Sequence, residues 1–342
     1  MSRKVTIALD AMGGDRGPAA VVPASLATLE KDDSVSLVLV GLADVLEQAK
    51  REAGERYGTR LGFKVASEVV GMDEAPADAL RRKKDSSLRV SIELVKNGEA
   101  DACVSAGNTG ALMATARYIL KTLPGIDRPA IISAVPGRKG PTYMLDLGAN
   151  VGCTSQHLLQ FALMGSVVAG DMLEIARPRV GLLNIGQEDM KGNEVVREAG
   201  ELLARSGLNY TGFVEGDGIF HADVDVVVSD GFVGNVALKT MEGVAGLISS
   251  FLKEEFHRNF LRGLQGFVAN SALNAIRARL DPRRYNGASL VGLNGVVLKS
   301  HGSADQFAFE TAVNTAIVEA RKGVPVQIGK LIQTQPQECI RA

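Results

Sequence analysis

The sequence lacks an excess of charge of either sign: 38 Lys and Arg stand against 39 Asp and Glu, giving a formal net charge of -1. Nucleic-acid binding through bulk charge needs many phosphates neutralised, so no nucleic-acid partner is expected and any basic patch must be local. Cysteine is scarce. Cys103, Cys153 and Cys339 are far apart and odd in number, which points to neither a disulfide framework nor a zinc knuckle and fits a reducing cytoplasm. No stretch approaches the ~18 to 20 uninterrupted apolar residues of a spanning helix. The opening run from Val5 to Leu9 stops at Asp10, too short for a signal segment, so export by that route is not expected. There is no fixed-period repeat and no low-complexity segment. Also missing are a P-loop, a nucleophile elbow, a His-Glu-x-x-His pair and a dinucleotide fingerprint after the first strand, so nucleotide hydrolysis and serine-triad chemistry lose support. No two aspartates lie four apart, so a helical carboxylate pair for a divalent ion is absent; carboxylates on separate loops can still converge, but no metal and no cofactor is indicated.

What the chain does have is 342 residues, 46% of them apolar, enough to bury a large core. Short β-branched runs bounded by Gly, Asn and Asp alternate with longer helical patterns, as expected of a parallel or mixed sheet between helices. Strands are predicted near Val5 to Leu9, Val35 to Val40, Ala102 to Ser105, Ala130 to Val135, Tyr143 to Leu147, Arg179 to Leu183, Val224 to Ser229 and Gly295 to Lys299. Asn97-Gly98 marks a helix stop before the third of these.

One region departs from this alternation. From Val236, Met241, Val244, Ile248 and Phe251 keep helical spacing to about Arg262; Gly263 to Phe267 interrupts, and a second helical pattern passes through Val268, Ala272, Leu273 and Ile276. This predicts a helical hairpin. Phe251 to Arg284 holds seven Lys or Arg against three acids, a local surplus that favours an acidic partner.

Ligands of open α/β sheets bind beyond the carboxyl ends of strands, and six segments there resemble one another: Asp10 to Asp15, Ser105 to Gly110, Asp146 to Asn150, Asn184 to Asn193, Ser229 to Asn235 and Ser300 to Asp305. Glycine lets backbone N–H groups approach an anion, and a following helix N-terminus adds partial positive charge, which suits phosphate. The candidate phosphate and substrate contacts are Gly13, Gly14, Asp15, Ser105, Gly107, Asn108, Thr109, Asp146, Asn150, Asn193 and Asp230, with Lys191 as the one cation inside a glycine-bounded loop of this set. Each loop alone is ordinary turn chemistry; six with matching polar residues tip the balance toward function.

These motifs, Asp-Ala-Met-Gly-Gly-Asp at 10 to 15, Ser-Ala-Gly-Asn-Thr-Gly at 105 to 110, Leu-Asp-Leu-Gly-Ala-Asn at 145 to 150, Gly-x-Glu-x-x-Lys-Gly-Asn at 186 to 193 and Asp-Gly-Phe-x-Gly-Asn at 230 to 235, together with His301-Gly302, resemble the phosphate acyltransferases of bacterial phospholipid synthesis nearly end to end. The resemblance implies a three-layer α/β/α sandwich with a mixed, mostly parallel sheet, similar to phosphotransacetylase and isopropylmalate dehydrogenase. It implies one catalytic unit over residues 1–342 carrying a protruding hairpin at 236–284, and a homodimer. The implied reaction moves an acyl group from acyl carrier protein to inorganic phosphate, the acyl phosphate then serving a glycerol-3-phosphate acyltransferase. It further implies peripheral attachment to the inner face of the cell membrane through the hairpin tip. The family's active-site lysine and asparagine fall on Lys191 and Asn235; Gln187 between Gly186 and Glu188 is a neutral departure.

The chemistry expected is direct attack of phosphate on the thioester. A phosphate monoester sheds its second proton near pH ~6, so a similar dianion needs no strong base. Lys191 would hold phosphate or the oxyanion, Asn235 would donate to the carbonyl oxygen, and N–H groups of Gly13, Gly14, Gly107 and Asn108 would orient the rest. His301 is the candidate proton donor to the leaving thiolate, with a turn or cap role as its competing reading. A covalent route through Cys103 or Cys153 competes with a core role for both. In the hairpin, Arg258, Arg262, Arg277 and Arg279 are assigned to the acidic carrier and Leu264 and Phe267 to the bilayer, against the alternative of a dimer-forming helix pair with solvated arginines. Burying Phe267 contributes only ~1.5 to 3 kcal/mol, so attachment would be weak and reversible. Two other functions remain open: a dehydrogenase of the isopropylmalate type, and a non-catalytic membrane-associated scaffold.

Overall fold

The computed structural model describes residues 3–221, 223–258, 273–276 and 278–335. Among them, β1 (Val5–Asp10), β2 (Val35–Gly41), β3 (Leu61–Val65), β4 (Ala102–Ser105), β5 (Ala130–Val135), β6 (Thr142–Leu145), β7 (Arg179–Leu183), β8 (Asn209–Val214), β9 (Val226–Val228), β10 (Ala288–Val291) and β11 (Val296–Lys299) form one sheet. Its order is β3-β2-β1-β4-β11-β10-β5-β6-β9-β7-β8. The outer groups are each parallel. Between them β10 is antiparallel to β11 and to β5, and β5 is antiparallel to β6. Three reversals turn the second parallel group upside down relative to the first, so the carboxyl ends of β1, β4 and β11 leave one edge of the sheet and those of β6, β9 and β7 the other.

Helices cover both faces, the three-layer arrangement expected. Strand alternation assigns the layers: Val5, Ile7 and Leu9 of β1 join Val21, Phe309 and Val313 in one cluster, whereas Ala8 faces Leu88, Ile92 and Leu112 in another. Helices Pro18–Lys31 and Gln306–Lys322 lie on the first face, Ser87–Lys96 and Thr109–Leu120 on the second. In the other half Phe161 of helix Ser155–Leu173 fills the core under β6, β7 and β9. Helix Gly231–His257 lies on the opposite face, where Ala237, Leu238 and Met241 meet Ile131, Val135 and Met144.

Asn97 caps the helix Ser87–Lys96 and Gly98 follows with φ 74, as predicted for that stop. Strands β3, β8 and β10 were not predicted. The first two are sheet edges with half-exposed patterns, β8 is further interrupted by Gly212 at φ 99, and β10 has only four residues. Strand β6 ends at Leu145 rather than Leu147, because Asp146 turns its carboxylate back on the chain that follows. The long helix begins at Gly231 rather than Val236: Asp230 Oδ1 accepts from the N–H groups of Phe232 at 2.8 Å and Val233 at 2.9 Å, so what reads as a glycine loop is a capped first turn. Of the predicted hairpin, the helix up to His257 is described and residues 273–276 and 278–280 are helical; Arg262, Leu264, Phe267 and Arg277 lie outside the described residues.

Where the two halves meet, Glu319 is 2% exposed. Its Oε2 accepts from Ser289 Oγ of β10 at 2.8 Å, while Oε1 has no hydrogen-bond partner among the described residues. Burial, and secondarily the charge of Asp171, pushes this carboxyl up to about 7 from the ordinary 4.5. The folded state therefore keeps a proton that the unfolded chain has already shed, and stability falls as pH rises from about 4.5 to about 7, by up to roughly 3 kcal/mol. Glu319→Gln cannot ionise. It is expected to raise Tm by a few degrees at about pH 8 and to leave it nearly unchanged at about pH 5. Melts showing the same change at both pH values would contradict this account.

Candidate active site

The loops after β6, β9 and β7 leave one edge of three adjacent strands. Asp146, at the end of β6, is fully buried and organises the first of them. Its Oδ1 accepts from Ile131 N at 2.9 Å and Ala149 N at 3.1 Å, and its Oδ2 accepts from Asn150 N at 2.7 Å and Asn150 Nδ2 at 2.9 Å. Burial pushes the Asp146 carboxyl up, and these donors offset part of the rise. Asp146 and Asn150 thus hold the loop together from inside. Gly148, at φ 120, lies against the side chain of Asn235, where a Cβ would touch Asn235 Cβ and Cγ at 3.5 Å. Gly231 N donates to Asn150 O at 2.8 Å, fixing the first turn of the long helix to this loop. Asn235 is exposed on the second turn. Beneath it, Ser229 Oγ is buried without a hydrogen-bond partner among the described residues.

On the neighbouring β7 loop, Lys191 is exposed; its N–H donates to Glu188 O at 2.9 Å and its carbonyl accepts from Asn184 Nδ2 at 3.1 Å. Gly186 keeps the loop tight, since a Cβ there would press on Lys191 Cγ at 3.0 Å. Asn193 caps helix Glu194–Arg205 through Val196 N at 2.9 Å. Lys191, on the loop after β7, and Asn235, on the second turn of the helix after β9, therefore stand at the same edge of two paired strands, an exposed ammonium and an exposed amide donor suited to an anion and a developing oxyanion.

The remaining candidates gather at the opposite edge. Ser105 Oγ donates to Asp10 Oδ2 at 2.6 Å and accepts from Gly107 N at 3.0 Å; Asp15 N donates to Gly302 O at 2.8 Å and Ser300 N to Ser105 O at 2.9 Å. Gly13 and Gly14 permit the closeness: a Cβ on Gly13 would meet Gly107 N at 2.6 Å, and one on Gly14 would meet Gly302 O at 2.8 Å. Six convergent loops are thus two groups of three. Gly13, Gly14, Gly107 and Asn108, the residues expected to orient phosphate, belong to the edge opposite Lys191; Gly107 N is bound to Ser105 Oγ, and the Asn108 side chain is engaged as a cap. Asn108 Oδ1 accepts from Ala111 N at 2.9 Å, its Nδ2 donates to Met72 O at 2.8 Å and Glu74 O at 2.9 Å, and Thr109 opens the helix it caps. His301 is exposed, with Nδ1 2.9 Å from Ser303 Oγ and accepting from Ser303 N at 3.3 Å, the turn arrangement anticipated as its competing role.

The sequence reading missed two residues. Lys299 ends the apolar run of β11 and passes for a strand terminus, yet its side chain is buried and donates from Nζ to the carbonyls of Ala106, at 3.1 Å, and Ser300. A lysine inside a strand with four buried positions is the signal that was available. Asp10 likewise is 2% exposed; burial pushes its carboxyl up against bonds from Ser105, Ser87 and the Met12 and Gly13 amides. Burial pushes the Cys103 thiol far up and the Cys153 thiol up to about 11, which supports the core reading. Among the described residues no helix is long and apolar enough to cross a membrane, and no group of three or more His, Cys, Asp or Glu is placed to hold a metal.

A model of the fatty acid synthesis protein family matches residues 5–327. The phosphate acyltransferase of Alkalilimnicola ehrlichii is 60% identical over 334 residues, covering 98% of each chain. That of Methylococcus capsulatus is 59% identical over 325 residues, covering 95% of this chain and 96% of the other. Among solved structures, a phosphotransacetylase from Streptococcus pyogenes superposes with a TM-score of 0.61 at 17% identity over 93% of this chain and 94% of that one, a likeness of fold.

Proposed function

Since the chain belongs to the fatty acid synthesis protein family and is a phosphate acyltransferase, we propose that it converts acyl carrier protein thioester and inorganic phosphate into acyl phosphate and free carrier, with Lys191 and Asn235 at the reacting atoms. An oxygen lone pair of hydrogen phosphate forms the new C–O bond, the tetrahedral intermediate expels sulfur with the C–S electron pair, and the phosphate proton ends on the carrier thiol. Lys191 compensates the charge of phosphate and of the oxyanion, and Asn235 donates to the oxyanion. The observation that supports this reading is that Lys191 follows β7 and Asn235 lies on the helix that follows β9, strands that pair in parallel and end at the same edge. Phosphate brings its own nucleophile, so no cysteine is needed.

The 236–284 segment is assigned to partners. Val244, Leu247, Ile248 and Phe251 expose an apolar stripe on helix Gly231–His257, and Ile276 and Leu280 expose another, which suits a homodimer. Arg258, 3.6 Å from Glu255, and Arg279 are exposed toward an acidic carrier. A weak, peripheral hold on the inner membrane face, and hand-over of acyl phosphate to a glycerol-3-phosphate acyltransferase, complete the proposal for a cytoplasmic enzyme.

Incubating the purified protein with palmitoyl acyl carrier protein, with and without inorganic phosphate, while trapping product with hydroxylamine, tests the reaction. The expected result is phosphate-dependent thiol release with trapped acyl hydroxamate. Thiol release that ignores phosphate would overturn the direct-attack mechanism.

A further inference from the structure

The structure assigns Lys299 as a positioning residue for acyl transfer: its buried ammonium ties the loops after β4 and β11 together and fixes them against the loop after β1, forming one rigid surface for the acyl donor. This rests on the transferase reading above, and concerns the edge opposite Lys191.

An ammonium has three N–H donors and no other role in a core, so where it points defines what it does. Lys299 Nζ donates to Ala106 O at 3.1 Å and to Ser300 O, the carbonyls that lie between Ser105 and Gly107 and between Lys299 and His301. Neither carbonyl is a partner that β4 or β11 would supply to itself. The charges that face the ammonium are Asp15 and Asp10 from the β1 loop, which favour its protonated form, and Lys239 from the long helix, which opposes it. Asp10 in turn receives Ser105 Oγ, and Asp15 N reaches Gly302 O, so all three loops close around Lys299. Lys239 starts two turns beyond Asp230 on a helix rooted at the Asn235 edge. Through it the helix that carries Asn235 extends to the charges of the other edge.

Burial, the largest influence, lowers the Lys299 pKa to about 8. The tie is therefore held by a charge that is lost at mildly alkaline pH. As pH rises through about 8 the neutral amine keeps two N–H donors but no charge, its bonds to the two carbonyls weaken, its attraction to Asp15 and Asp10 is lost, and activity should fall.

The test uses the full-length protein, measuring phosphate-dependent thiol release from palmitoyl acyl carrier protein against pH, with phosphate-free blanks removing thioester hydrolysis. Wild type is expected to lose activity with a midpoint near pH 8. Lys299→Arg, which stays charged, is expected to move that limb upward by a unit or more, by roughly the margin that separates guanidinium from this amine. Lys299→Met is expected to lower kcat/KM about a hundredfold across the range. Amide exchange reads the same tie without catalysis: in Lys299→Met, peptides over 102–112 and 296–306 should exchange faster while those over β7 and β9 do not. An unmoved alkaline limb in Lys299→Arg, or unchanged exchange and activity in a folded Lys299→Met, overturns the assignment. Should Lys299→Met not fold, the Lys299→Arg pH profile still decides. Absence of any phosphate-dependent release by wild type would fault the transferase reading alone, and the exchange measurement would still judge the tie.

Discussion

Lys191→Ala is expected to lower kcat for phosphate-dependent thiol release about 10² to 10³-fold, the loss typical of removing one stabilising donor from a developing oxyanion. The fold should not register the change. The side chain is exposed, and the loop is held by backbone contacts, Lys191 N to Glu188 O and Asn184 Nδ2 to Lys191 O, which alanine preserves. Surface substitutions of this kind change stability by about 0.5 kcal/mol or less, so Tm should stay within a degree or two. Steady-state kinetics with phosphate varied, alongside a thermal melt, checks both halves. An alanine enzyme within threefold of wild type would remove Lys191 from the chemistry.

Gly234→Ala should damage both fold and activity, for a reason no surface pattern reveals. A Cβ on Gly234 would collide with the Asp146 carbonyl oxygen and come within 2.8 Å of Ser229 Oγ. The helix cannot simply slide away: Asp230 caps it, and Gly231 N holds Asn150 O at 2.8 Å. Overpacking of this sort costs about 1 to 3 kcal/mol. Because Asn235 is the next residue, any shift that accommodates the methyl displaces its amide, and a displacement near 1 Å is enough for a loss of about a hundredfold. Denaturation and kcat measured together are diagnostic. A variant as stable and active as wild type would mean that the Asp146 loop and the helix are not in contact as described.

Much of this site was legible beforehand because glycine and capping residues are local signals. The Asp-Gly-Phe-x-Gly-Asn motif can be found in the sequence, but its meaning changes in three dimensions: Asp230 is a cap, Gly231 and Gly234 are contact points for the Asp146 loop, and Asn235 is left exposed. Most strands were legible because parallel strands buried on both faces are continuous apolar runs. Sheet edges β3 and β8 were not, since a strand paired on one side needs no such run. Neither was the division of the loops between two edges. That depends on the direction of β10 and β5, and direction is decided by long-range pairing that no window of residues encodes. Lys299 escaped for a related reason: its partners, Ala106 and the Asp10 to Asp15 loop, are distant in sequence and become neighbours only through the β1-β4-β11 pairing.

The position of β11 in the sheet has a bearing on biosynthesis. It pairs with β4, and helix Gln306–Lys322 covers helix Pro18–Lys31, so the half of the molecule built on β1 to β4 is completed by β11 and the helix that follows it. While the ribosome works through the second half, β4 offers an unpaired edge and β1 lies under an unfilled core, and neither is closed until about residue 322 has emerged. Each newly made chain thus carries an open strand edge through this interval, and any segment that delays translation between β4 and β11 lengthens its exposure to aggregation.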